Sequence, residues 1–151
     1  MRRREILAFF GGFAAAWPVS VRAQPAAMPL VGFLGSASPD KWTSRTRAFL
    51  ASLSEAGFVG GKNVGIEYRW AEARNDRLSM LAAELVARKV DAIVVLGNTR
   101  SALAARDATA TIPIVFRVAA NPVELGLVAS LGQPGGNLTG VTTLGVEAGP
   151  K

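Results

Sequence analysis

The 151-residue chain contains neither cysteine nor histidine. Without cysteine there is no disulfide, no thiolate nucleophile and no sulfur-ligated metal or iron–sulfur centre. Without histidine the chain lacks the commonest general base and the commonest transition-metal ligand. Aromatic residues are few, with one tyrosine and three tryptophans, and acids are outnumbered, 11 against 17 bases, for a formal charge of +6. Residues 1–23 hold four of those bases and one acid, so the rest of the chain carries 13 bases and 10 acids. Its bases fall in scattered pairs such as Arg45/Arg47 and Arg88/Lys89, with no aromatic interleaving. That pattern predicts a solvated surface and no nucleic-acid partner. Residues 1–23 aside, the composition is that of one ordinary globular domain.

No apolar run is long enough to span a bilayer. The longest, Ile6 to Ala16, follows Arg2-Arg3-Arg4 and precedes Val21-Arg22-Ala23, where a small residue offers a cleavage point before Gln24. A positive start, a short apolar stretch and a small-residue exit are the parts of an export signal. Arg3-Arg4-Glu5-Ile6-Leu7 has the layout of a twin-arginine signal, and Gly11 and Gly12 keep the apolar stretch only mildly hydrophobic. Residues 1–23 are therefore read as a cleaved signal peptide and 24–29 as a linker. The product is expected in the periplasm, with no membrane span after cleavage.

From residue 30 onward, short apolar β-branched runs alternate with helical patterns. Leu30–Gly35 is a strand closed by glycine. Ser38-Pro39-Asp40 opens a helix, with Ser38 as N-cap and Trp42, Thr46, Phe49, Leu50 and Leu53 on one face. Gly57 ends it. Val64–Trp70 alternates and predicts an edge strand. Asn75 or Asp76 is expected to cap a second helix through Val86. Ala92–Leu96 is a buried strand, stopped at Gly97 and followed by a helix from about Arg100 to Ala108. Thr111–Phe116 reads as strand four, placing Arg117 just after it. Asn121-Pro122 reads as the cap and first turn of a short helix to Leu131, and Leu138–Thr142 as strand five. The pattern predicts an α/β fold, a doubly wound parallel sheet of order 2-1-3-4-5. Its ligand crevice should lie at the carboxyl ends of strands one and three.

The turns at that crevice supply the candidate site. Ser36 and Ser38 follow Gly35, Asn98 and Thr99 follow Gly97, and Asn121 marks a third helix start. Unpaired amides at helix N-termini favour small anions or zwitterions. The same residues also serve as ordinary caps. Trp42 is placed either to stack on a ligand or to open the core-facing side of its helix. No catalytic residue, cofactor or metal site is predicted. The chain has no G-x-G-x-x-G after strand one, no P-loop and no G-x-S-x-G elbow.

Several runs together are similar to a known family: Val31-Gly32-Phe33-Leu34, Ile112-Pro113-Ile114-Val115-Phe116 and, most specifically, Leu125–Val141 with Gln133-Pro134-Gly135-Gly136-Asn137-Leu138-Thr139-Gly140-Val141. The chain resembles the N-terminal half of the substrate-binding proteins of ABC importers, of the type I periplasmic-binding fold that includes tryptophan/tyrosine-type members. The resemblance implies a small polar or amino-acid-like solute, an ABC permease as partner, and contacts from Ser36, Asn98, Thr99 and Asn121. It also implies a second lobe, with residues 30–140 forming the first lobe and 141–151 the start of a crossover to a lobe this chain does not carry. Asn121-Pro122 stands where relatives often have Asp-Pro, which removes a negative charge. On the residues alone two other readings stay open: a small exported Rossmann-like enzyme or nucleotide binder, and a non-functional fragment.

Overall fold

A computed structural model describes residues 27–143. The predicted signal peptide and most of the 141–151 crossover lie outside the described residues. Five strands form one parallel sheet: β1 (Leu30–Gly35), β2 (Gly65–Trp70), β3 (Ala92–Leu96), β4 (Ile114–Val118) and β5 (Leu138–Thr142), in the order β2-β1-β3-β4-β5. This is the doubly wound order expected from the alternation of strands and helices. Among the described residues three helices cover the sheet: α1 (Pro39–Glu55), α2 (Leu78–Ala87) and α3 (Thr99–Ala108).

The period of two along each strand sorts its side chains onto two faces. Leu34, Ile93, Val95, Ile114, Phe116, Val118 and Leu138 point to one face, where α2 and α3 bring Leu78, Leu81, Leu85 and Ala102. The opposite face carries Phe33 and Val94, packed with Trp42 and Phe49 of α1 and with Tyr68 and Trp70 of β2. Only part of this second face is covered. In β4, Ile114, Phe116 and Val118 are buried while Val115 and Arg117 are exposed, and Val141 of β5 is 61% exposed.

The ends of α1 follow from local chemistry. Pro39 and Asp40 occupy its first turn as predicted, with Ser38 in the extended N-cap conformation, but the Ser38 hydroxyl makes no capping hydrogen bond. At the other end Gly57 adopts φ +89, its amide donates to the Ser54 carbonyl, and Phe58 N–H donates to the Leu53 carbonyl. This double closure is the Schellman arrangement that a glycine after the C-cap permits.

Three boundaries differ from the sequence reading. Neither Asn75 nor Asp76 caps α2; both lie in a 3₁₀ turn, Asn75–Arg77, that runs into it. Strand β4 begins at Ile114, because the Asn137 side chain donates to the Ile112 carbonyl at 2.7 Å and Asn137 O takes the Ile114 amide at 2.8 Å. The strand runs on to Val118, so Arg117 lies inside β4. The helix expected over Asn121–Leu131 does not form. Leu125 N–H reaches Asn121 O, but Gly126 turns to φ +67 and the next amides, Leu127 and Val128, fold back on Pro122 O. Arg106 Nη1 donates to the Leu125 carbonyl at 3.0 Å, which uses an acceptor that a continuing helix would need.

Candidate functional site

The two turns predicted to flank the crevice are neighbours. β1 pairs with β3 from Val31–Ala92 to Leu34–Val95, so Gly35 and Gly97 leave the sheet side by side. Both glycines are needed for close approach. A Cβ at Gly35 would lie 2.3 Å from ring carbons of Trp70, and one at Gly97 would lie 3.1 Å from Trp42 Cη2 and 3.2 Å from Ser36 Oγ. Each bare turn thus accepts an indole against its backbone. Backbone bonds fix the first turn further: Gly35 O accepts from Ala71 N–H at 2.9 Å and Ser36 O from Ala73 N–H at 2.8 Å.

Beside these turns lies an open cavity of about 660 Å³, lined by Ser36, Gly97 and Asn98 from the turns, by Trp42, Arg45 and Phe49 from α1, and by Leu96 and Arg117 from the sheet. The residues of α1 fall at i, i+3 and i+7 from Trp42, one side of a helix. Of the six candidate ligand-contacting residues, the structure brings Ser36, Trp42 and Asn98 to this cavity. Ser38, Thr99 and Asn121 are not among its lining residues. Three helix starts were expected to converge here. With no helix after Asn121, the converging starts are those of α1 and α3.

The polar groups are committed to different degrees. Asn98 caps α3: its Oδ1 accepts from Ser101 N–H and from Ser101 Oγ, each at 2.9 Å, and its Nδ2 donates to Asn75 Oδ1 at 3.3 Å. The cap takes the third helical amide and leaves those of Thr99 and Arg100 ahead of the intrahelical ladder. Asn121 is likewise engaged, accepting from Val123 N–H at 3.1 Å and donating to Glu124 Oε1 at 2.9 Å.

Trp42 is 6% exposed and meets Phe33 and Trp70 edge-on, at centroid distances of 6.4 and 6.1 Å. The Arg45 guanidinium lies 5.0 Å from its ring centroid. Nearby, burial raises the Tyr68 phenol above its ordinary 10.0, so it stays neutral at physiological pH. The cavity's charge comes from Arg45 and Arg117, and no acid is among its lining residues. The sequence does not single out Arg45, and it sets Arg117 after strand four, within reach of the crevice or on the surface. The signal for Arg45 was its i+3 spacing from Trp42, while Arg117 was placed one strand end too late. Among the described residues, no group of three or more acidic side chains is arranged to hold a metal ion. Nor is any helix there long and apolar enough to cross a membrane.

The fold has counterparts among known proteins. A "Tyrosine-binding protein" of Clostridioides difficile (strain R20291) is 36% identical over 96 residues, 64% of this chain and 28% of that protein. A ligand-free, open substrate binding protein with adhesive properties from Clostridium difficile superposes with TM-score 0.69 at 30% identity. A conserved domain protein from Vibrio cholerae gives 0.70 at 31%. An ABC domain in complex with L-Trp from Streptococcus pneumoniae gives 0.68 at 26%. Each superposition covers 76% of this chain and 38% of the other, so the chain spans well under half the length of these relatives. The family model for ABC transporter substrate binding proteins matches residues 37–147, the greater part of the chain, including all of α1 and the Gly97 turn. The chain belongs to the ABC transporter substrate binding protein family.

Proposed function

We propose that residues 30–140 act as the first lobe of an extracytoplasmic solute-binding component of an ABC importer, holding a small amino-acid-like solute against the Gly35 and Gly97 turns. The observation that carries this reading is the cavity at the carboxyl ends of β1 and β3, where Ser36, Trp42, Gly97 and Asn98 meet. It lies where parallel α/β sheets bind ligands. The relatives named for tyrosine and solved with L-Trp support an aromatic amino acid as the first probe. Their greater length supports a second lobe that closes over the solute, with an ABC permease as the receiving partner. The leader pattern of residues 1–23 supports export to the periplasm by the twin-arginine route.

The test is calorimetric titration of the purified chain with L-tyrosine and L-tryptophan, beside Gly97→Val. The added branch enters the space between Trp42 and Ser36, so affinity should fall at least about tenfold while the fold is retained. Equal affinity in the two proteins would remove the solute from this cavity. Protein expressed with its own leader should begin at Gln24, and an intact Met1 in the exported fraction would refute the processing step.

A further inference from the structure

We infer that Arg45 and Arg117 make this lobe select for the net negative charge of its solute, favouring an aromatic carboxylate without an ammonium group over the corresponding amino acid. The inference rests on the cavity being the solute site, as proposed above, and goes beyond it in naming the charge class and the residues that set it.

The two arginines reach the cavity from different elements, α1 and β4. Arg45 comes from α1, where its guanidinium lies 5.0 Å from the Trp42 ring centroid. Arg117 comes from the open face of β4, in register with Leu96 of β3, itself a lining residue. Among the described residues neither arginine makes a salt bridge, as is also true of Arg47 and Arg100, whereas Arg69, Arg74, Arg77, Arg88 and Arg106 all do. Their neighbours in the cavity are apolar, hydroxyl or amide side chains, with no carboxylate. The polar partners nearest the turns add to the same sign, because the start of α3 presents amide donors and the positive end of its dipole.

A carboxylate therefore finds guanidinium forks and amides, the geometry that arginine pairs with best. An ammonium finds no acid among the residues lining the cavity, and bringing it near two guanidiniums is repulsive. The aromatic body meets Trp42 and Phe49. Arg45 is held over the indole by cation–π attraction, which positions it without using its hydrogen-bonding edge.

The test compares three probes that share one phenol ring: 3-(4-hydroxyphenyl)propionate as anion, L-tyrosine as zwitterion and tyramine as cation. Each is titrated calorimetrically into the 151-residue chain at low salt. The anion should bind at least about tenfold more tightly than L-tyrosine, with tyramine weakest. Arg117→Gln and Arg45→Gln should each erase most of the difference between anion and zwitterion. Arg47→Gln, on the part of α1 that faces away from this cavity, should preserve it. Raising the salt from about 10 mM to about 150 mM should narrow the ratio, because the cavity is open and screening shortens the reach of both charges. Binding of L-tyrosine as tight as the anion, or a ratio unmoved by both substitutions, overturns the charge inference while leaving the solute site standing. Failure of all three probes to bind overturns both.

Discussion

A single missing carbon decides the geometry at two places in this molecule. At Gly35 the indole of Trp70 occupies the volume a Cβ would need, with ring carbons 2.3 Å from its ideal position. Gly35 also closes a strand whose nearest buried side chain on the same face, Phe33, meets the same Trp70 in a tilted contact at 5.1 Å between ring centroids. Gly35→Ala must therefore push the indole off Phe33 and Trp42, an overpacking cost of about 1–3 kcal/mol. Thermal denaturation followed by near-ultraviolet circular dichroism reads both consequences, a lower midpoint and a changed aromatic signal. An unchanged midpoint would mean that Trp70 rests elsewhere. The two glycines were legible in the sequence as strand ends, and as neighbours once the strand order was inferred. What they face was not, because Trp70 lies 35 residues from Gly35 in the chain and Trp42 lies 55 from Gly97. Only the assembled sheet brings those pairs together. The same limit applies to Asn98. Its capping role could be read from the sequence, but not the bond to Asn75 that occupies its remaining amide.

Elements were legible where one strong local pattern acted alone. The β-branched run Ala92–Leu96 became β3 with the predicted ends, and Gly57 stopped α1 as expected. Reading failed where two local signals competed. Asn121-Pro122 has the composition of a helix start, yet Gly126 and the Arg106 guanidinium divert the chain after one turn. At the edge strand β2, whose residues are all half-buried, the sequence alternation hid an ionic tie to α2. Arg88 Nη2 donates to Glu67 Oε1 at 2.6 Å, Arg69 Nη1 to Glu67 Oε2 at 3.2 Å, and Arg69 Nε to Glu84 Oε2 at 2.7 Å. The Arg88 hydrogen bond, with that of Arg69, holds the Glu67 carboxyl below its ordinary 4.5. A depressed carboxylate contributes stability above its unfolded pKa and loses it as the pH falls through the folded value. Wild-type protein should therefore melt higher than Glu67→Gln at neutral pH, with the difference closing below about pH 4. A difference constant across that range would show that Glu67 contributes by packing alone.

On the scale of the whole molecule the sheet is unequally covered. Among the described residues, the α2–α3 side holds 18 buried apolar residues in one cluster, and the α1 side holds three. Each fully buried large apolar side chain contributes about 1.5–3 kcal/mol, so the two layers differ widely in what anchors them. α2 is fixed by Leu78, Leu81, Ala82 and Leu85, and α3 by Ser101, Ala102, Ala104 and Ala105. Among the described residues α1 is the longest helix, at 17 residues, yet Trp42 in its first turn is its one buried residue. Beyond Trp42 it rests on half-buried Thr46, Phe49, Leu50 and Leu53. Regions with few buried contacts open locally without global unfolding. Native-state hydrogen exchange should accordingly show amides from Phe49 to Glu55 exchanging at least about tenfold faster than those in the second half of α3. The site wall formed by α1 would then be its adjustable side, and the Gly35 and Gly97 turns, rooted in buried β1 and β3, its fixed side. An aromatic ligand in the cavity should slow exchange along α1 through Phe49 while leaving β3 unaffected. Equal protection of α1 and α3 in the unliganded chain would falsify this division, and both walls of the cavity would then be equally rigid.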